Sequence, residues 1–225
     1  MPQKAKFGTK ALQAAKKAVT LEFTADDRPG TGPGVPGNVP PLSNHHILSQ
    51  RYMQLIFRIK EFKGEADYFR RFTNINAMTW KNTATNKLAE WVWTPYNLFQ
   101  GPTGQYRTDD PKSGIEQTKP HGLDGARWVA LKMLAYTLFK HVKEDKLLKI
   151  LAGEKVKFEV TDELHAELNR WLQAFHDAIT EAHGNYAAYG FAGADWAQAN
   201  GRYRVHACNC KGCNATTHTL AKYQK

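Results

Sequence analysis

The sequence predicts a mainly α, α+β fold: a helical body with little sheet. Three observations carry that expectation. Two long amphipathic runs occupy the second half, a shorter run of helical period follows residue 47, and only brief extended pieces separate them. "GARWVALKMLAYTLFKHVKED" sets Trp128, Leu131, Leu134, Ala135, Leu138 and Val142 on one face, since residues three and four apart share a side of a helix. "TDELHAELNRWLQAFHDAITEAHG" opens on Thr161, a good N-cap, followed by acidic residues suited to the positive helix end. It buries Leu164, Leu168, Trp171, Leu172, Phe175 and Ile179 and stops at Gly184.

Nearer the N-terminus, Tyr52, Leu55, Ile56, Ile59 and Phe62 recur at helical spacing; Gly64 breaks the run and "EADYFRRF" resumes it. "WKNTATNKLAEWVWTPYNLFQGP" mixes a helical turn with an aromatic, extended piece ending at Pro95. Residues 100–124, rich in Gly, Pro, Asp and Thr, read as loop, and so long a loop is usually functional or mobile. The C-terminal "GRYRVHACNCKGCNATTHTLAKYQK" reads as a short strand and a knuckle.

Three segments follow. Residues 1–25 form a basic leader with a short helix over 9–22. Residues 26–41, more than half Pro and Gly, cannot hold a helix or a central strand and form a linker. Residues 42–225 form the folded domain, with a Cys-rich knuckle at 206–218.

At 225 residues and 42% hydrophobic, the chain can bury a sizeable core, and no apolar run reaches the length of a membrane span. The N-terminus is basic but lacks the apolar core of a signal peptide. A net charge of +10 favours polyanions, nucleic acid first, with an anionic membrane or an acidic protein as rivals.

The chemistry-bearing stretches are three. In "LSNHHI", His45 and His46 are adjacent, and a strand would point them to opposite sides unless the backbone turns. They are either polar residues satisfied locally or the metal-and-base pair of a hydrolase, in which a neutral imidazole takes a proton from water. In "GQYRTDDPKSG", Asp109 and Asp110 could bind a hard cation and Arg107 could clamp a phosphate bidentately; Asp-Asp-Pro is equally a good turn. Trp91, Trp93, Tyr96 and Phe99 flank that loop, either to stack on a ligand or as core, the expected fate of Trp91 and Phe99. In "HACNCKGCNATTH", Cys208, Cys210 and Cys213 with His206 or His218 have the donor types and spacing of a structural zinc knuckle; the alternative is three reduced thiols. The remaining histidines, His141, His165, His176 and His183, read as structural or solvated.

A Pro-rich linker, then "LSNHHI", then a region ending in Asn97 and an acid-rich loop, resembles the His-Me finger nucleases, also called ββα-metal or HNH-type. The nearest likeness is to the double-histidine branch of the bacterial polymorphic toxins, and it spans residues 42–124. The resemblance implies a small ββα-metal-like element, with His46 as general base, His45 as a metal ligand, Asn97 as the residue orienting the base, and His121 as the nearest further ligand. It implies a metal-dependent endonuclease using Mg, Mn or Zn, on DNA more than RNA, as the toxic C-terminal domain of an effector delivered without a classical signal peptide. Such a toxin acts in the target-cell cytoplasm and is neutralised by a cognate immunity protein; no membrane partner is expected. The competing expectation is a non-enzymatic, zinc-stabilised nucleic-acid-binding module.

Overall fold

A computed structural model describes residues 22–23, 41–72, 88, 91–111, 115–120, 122–152, 154, 156–181 and 187–206. They form a helical body with small sheet elements. Among the described residues, helices α1 (Gln50–Phe62), α2 (Gly125–His141), α3 (Glu144–Leu151) and α4 (Asp162–Glu181) are accompanied by 3-10 turns at Ala66–Phe72, Pro95–Asn97 and Gly193–Asp195. Six short strands pair in twos: β1 (Glu22–Phe23) parallel with β4 (Ala187–Ala188), β2 (Leu42–His46) antiparallel with β3 (Leu98–Pro102), and β5 (Trp196–Ala199) antiparallel with β6 (Arg202–Val205). Among the described residues no helix is long and apolar enough to cross a membrane.

The body is built on α2 and α4, which pack along each other. In α2, Trp128 and every residue from Ala130 to Leu138 are buried, so this helix is enclosed on nearly all sides rather than half-solvated. Its N-cap Asp124 accepts from Arg127 N at 2.6 Å, satisfying one of the orphan amides of the first turn. The single helix expected over 125–145 is two: α2 ends at His141 because Val142 is extended, and α3 starts at Glu144 with acidic residues in its first turn. Helix α4 buries Leu164, Leu168, Leu172, Phe175 and Ile179 as expected, and Thr161 Oγ1 accepts from Leu164 N at 3.2 Å. Trp171 is only half-buried, packed beside Met133 and Tyr136.

Helix α1 closes the core from the other side. Its turn of aromatics extends through Phe57, Phe69, Phe72, Trp91 and Phe175, with Phe72 stacked on Phe175 at 5.3 Å and Phe69 tilted on Trp91 at 4.5 Å. Gly64, at φ 78°, releases the chain from α1 as the sequence anticipates, and the run resumes as a 3-10 turn. The extended piece expected to end at Pro95 instead starts after it: Pro95 opens a 3-10 turn, where its missing N–H costs nothing, and β3 follows. The strand expected near the C-terminus is a hairpin whose turn, Asn200-Gly201 at φ 52° and 71°, has the left-handed backbone that matches strand twist. The helix expected over 9–22 lies outside the described residues except for Glu22, which begins β1.

Candidate functional site

Strand β2 reaches its end at His46 and must turn at once into α1. Four hydrogen bonds, two of them between backbone groups, fix that exit. Ile47 N donates to Asn97 O at 2.9 Å, and Ile47 O accepts from Glu116 N at 3.0 Å. Asn97 then grips Leu48 with both ends of its amide: Oδ1 accepts from Leu48 N and Nδ2 donates to Leu48 O, each at 2.8 Å. Asn97, Ile47 and Leu48 are fully buried, so each of these bonds replaces water that cannot enter.

The two histidines sit on opposite faces of β2, and each ring is tied to a main-chain carbonyl. His45 Nε2 donates to Pro102 O at 2.8 Å, with Ser43 Oγ 3.2 Å away, and the ring stacks on its cross-strand partner Phe99 at 5.4 Å. His46 Nε2 donates to Val92 O at 3.1 Å, and the edge of Trp93 meets its ring at 4.7 Å. A carbonyl can only accept, so each neutral ring carries its proton on Nε2 and its basic lone pair on Nδ1. Burial, assisted by the nearby Arg107 charge, holds the His45 pKa below the usual imidazole range, which keeps this ring neutral.

Both histidines nevertheless border one cavity of about 360 Å³. Its walls are Ser43 and Asn44 of β2, Ser49, Gln50 and Arg51 at the start of α1, and Gly104, Asp110, Pro111 and Glu116 of the long loop. The alternation expected of a strand is overcome because the chain turns directly after His46 and the loop folds back across the strand end. Leu48 bridges Ile115, and Glu116 N bonds Ile47.

Arg107 takes a different part from the expected phosphate clamp. Its guanidinium is buried, with Nη1 and Nη2 donating to the two Glu116 oxygens at 3.1 Å each and Nε donating to Asp109 Oδ1 at 3.1 Å. The centre of the fork lies 5.0 Å from the Trp196 ring and 5.7 Å from Phe99. All three nitrogens are engaged, so Arg107 organises the loop instead of facing a ligand. Asp109 is likewise occupied: its second oxygen accepts from Val205 N at 2.8 Å, which pins the loop to β6. Asp110 alone of that pair faces the cavity.

Glu116 is the residue that sequence reasoning missed. Its carboxylate holds Arg107, its N–H holds Ile47, and its carbonyl accepts from the buried Lys132 Nζ. Burial pushes the Glu116 carboxyl above its ordinary range while the Arg107 fork opposes the rise. Lys132, 1% exposed, is pushed down to about 8 by burial. The only sequence signal was one acid in the otherwise uncharged "SGIEQT".

Among the described residues no three His, Cys, Asp or Glu side chains are grouped to hold a metal ion. His121 and His183 lie outside the described residues, as do Cys208, Cys210, Cys213 and His218; His206 is exposed at the end of β6. Trp91 and Phe99 are core, Tyr96 is buried, and Trp93 is half-buried against His46. His141 and His165 pair with Glu167 and Glu65, away from the cavity. No family model, no curated protein and no solved structure matches the chain.

Proposed function

We propose that the chain is a metal-dependent endonuclease, acting on DNA in preference to RNA, and the toxic C-terminal domain of an effector that bacteria use against competitors. One observation carries the reading. His45, His46 and Asp110 border a single cavity, and both imidazoles are anchored through Nε2 so that Nδ1 is the basic atom. His46 is the general base, taking a proton from the attacking water through Nδ1, a role that suits an imidazole near neutral pH. Asn97 is a positioning residue: by holding Leu48 it sets the strand end that bears His46. The β2–β3 pair followed by α2 serves as the ββα-metal-like element.

Of the described residues bordering the cavity, His45 and Asp110 would hold the metal, with His121 as a further donor. So sparse a set suits Mg or Mn, which keep water and take oxygen from substrate phosphate, better than a Zn needing three or four protein donors. When bound, such a cation would offset charge growing on the phosphate under attack. A structural zinc at Cys208, Cys210 and Cys213 with His206 or His218 is a separate part of the proposal. Delivery occurs without a classical signal peptide, action is in the target-cell cytoplasm, and an acidic immunity protein covering the cavity is the expected antagonist of a chain with charge +10.

The test is incubation of supercoiled plasmid and of a structured RNA with Mg, Mn or Zn. Conversion of plasmid to nicked and linear forms, abolished by chelation, supports the reading. Intact plasmid and RNA under every metal ends it, and binding without cutting would favour the zinc-stabilised binding module.

A further inference from the structure

Between the end of α3 and the start of α4 the chain runs through Val156, Lys157, Phe158, Glu159 and Val160. Val156, Phe158 and Val160 are half-buried, the last two against the core, while Lys157 and Glu159 are exposed. A period of two is that of an extended chain with one side on the core, since successive side chains of a strand point to opposite faces. Yet the segment belongs to no sheet of the described residues, and among those residues its N–H and C=O groups have no main-chain partner. It is a strand edge of the kind to which another extended chain adds by main-chain hydrogen bonds.

The charge pattern selects the chain that fits. Val-Lys-Phe-Glu-Val carries the same apolar residues in either direction and opposite charges on the two sides of Phe158. Laid antiparallel on a second copy with Phe158 opposite Phe158, Lys157 faces Glu159 of that copy and Glu159 faces its Lys157. Both pairs form at once about one two-fold axis, as a symmetric dimer requires. Parallel pairing in register would set Lys157 on Lys157 and Glu159 on Glu159, like charges directly opposite, which is destabilising. Among the described residues neither Lys157 nor Glu159 has an ion pair that a second copy must first break.

The ends of the segment are apolar as well. Leu148, near the end of α3, and Phe62, beside the Lys63 whose Nζ donates to Asp162 Oδ1 at 2.9 Å, are each 53% exposed. Exposed apolar side chains next to an open edge favour association.

We propose that residues 156–160 are a self-association edge, at which two copies of this chain pair antiparallel about Phe158. Five residues a side make a small interface, so the dimer is weak and reversible. The edge is independent of the nuclease reading, and neither needs the other.

The experiment is sedimentation of the full chain over a range from about 10 to 500 µM, where a weak dimer forms. The expected mass moves from that of one chain toward that of two. Lys157→Glu and Glu159→Lys should each weaken association about tenfold or more, since both cross-strand pairs then carry like charges. Mixing the two variants, or making both changes in one chain, restores opposite charges across the axis and should restore association. General repulsion in a chain of charge +10 predicts something else. Lys157→Glu lowers the positive charge and Glu159→Lys raises it, so repulsion alone moves the two variants in opposite directions. Both positions are exposed, so the variants should keep the Tm of the unaltered chain. A single-chain mass at every concentration overturns the edge. So does association that either single reversal leaves unchanged, that the two reversals move in opposite directions, or that mixing fails to restore.

Discussion

Asn97 clasps the backbone of Leu48 at both ends of its amide, 2.8 Å on each side, across a separation of 49 residues in the chain. That clasp joins the strand carrying the two histidines to the turn that opens β3, and it fixes the angle at which α1 departs.

Replacing Asn97 by Ala leaves a buried N–H and a buried C=O of Leu48 without partners. The expected loss is about 2–6 kcal/mol of stability, since each of the two stranded groups costs about 1–3 kcal/mol. Asn97→Asp should be comparably damaging, because its oxygen cannot donate to Leu48 O. Urea denaturation measures both; a loss below about 0.5 kcal/mol would mean that the clasp is redundant.

Glu116→Gln leaves the buried Arg107 charge with Asp109 as its remaining carboxylate partner, and a loss at or below the low end of about 3–5 kcal/mol is expected. Arg107→Met combined with Glu116→Met should cost clearly less than the two single changes summed, which a double-mutant cycle reads directly. Additive losses would show that the pair is not coupled.

Lys132 gives stability an alkaline slope. Its pKa is about 8 in the folded chain, against 10.5 for a lysine free in water. Between those values the unfolded chain binds the extra proton, so unfolding free energy rises with pH from about 8 to 10.5; below 8 both states are protonated and the slope vanishes. Denaturation at stepped pH should show the rise in the unaltered chain and not in Lys132→Met.

His45 acts on the acid side. Its folded pKa lies below 6.5, so as pH falls through 6.5 the unfolded chain gains a proton that the folded chain refuses, and stability declines. His45→Gln should flatten that decline. Glu65 and Glu167, whose folded values lie below 4.5, contribute only at lower pH, so the two effects separate on the titration axis.

Legibility in the sequence followed the range of the interactions. The faces of α2 and α4, the Thr161 cap and the Gly64 break depend on neighbours three or four residues away and were readable. The end of α2 at His141 was not, because no Gly or Pro marks it. The pairing of Leu42–His46 with Leu98–Pro102 is non-local, and the mostly polar LSNHH gives no local sign of its partner. In the sequence Arg107 and Asp109 fit a ligand site or a turn equally well; the contacts of Arg107 with Trp196, Phe99 and Glu116, and of Asp109 with Arg107 and Val205, give them a structural part.

The most direct measurement is the rate at which supercoiled plasmid is nicked in Mg or Mn by the unaltered chain and by His46→Ala, with Tm recorded for both. The expected result is cleavage that chelation abolishes and a fall of about 10²- to 10⁴-fold in His46→Ala at a temperature where both chains stay folded, the size expected for loss of a general base; the Tm of the variant should fall modestly, because the Val92 carbonyl loses its donor. Full-rate cleavage by His46→Ala would contradict the assignment of the base, and plasmid left intact by the unaltered chain under every metal would contradict the function itself.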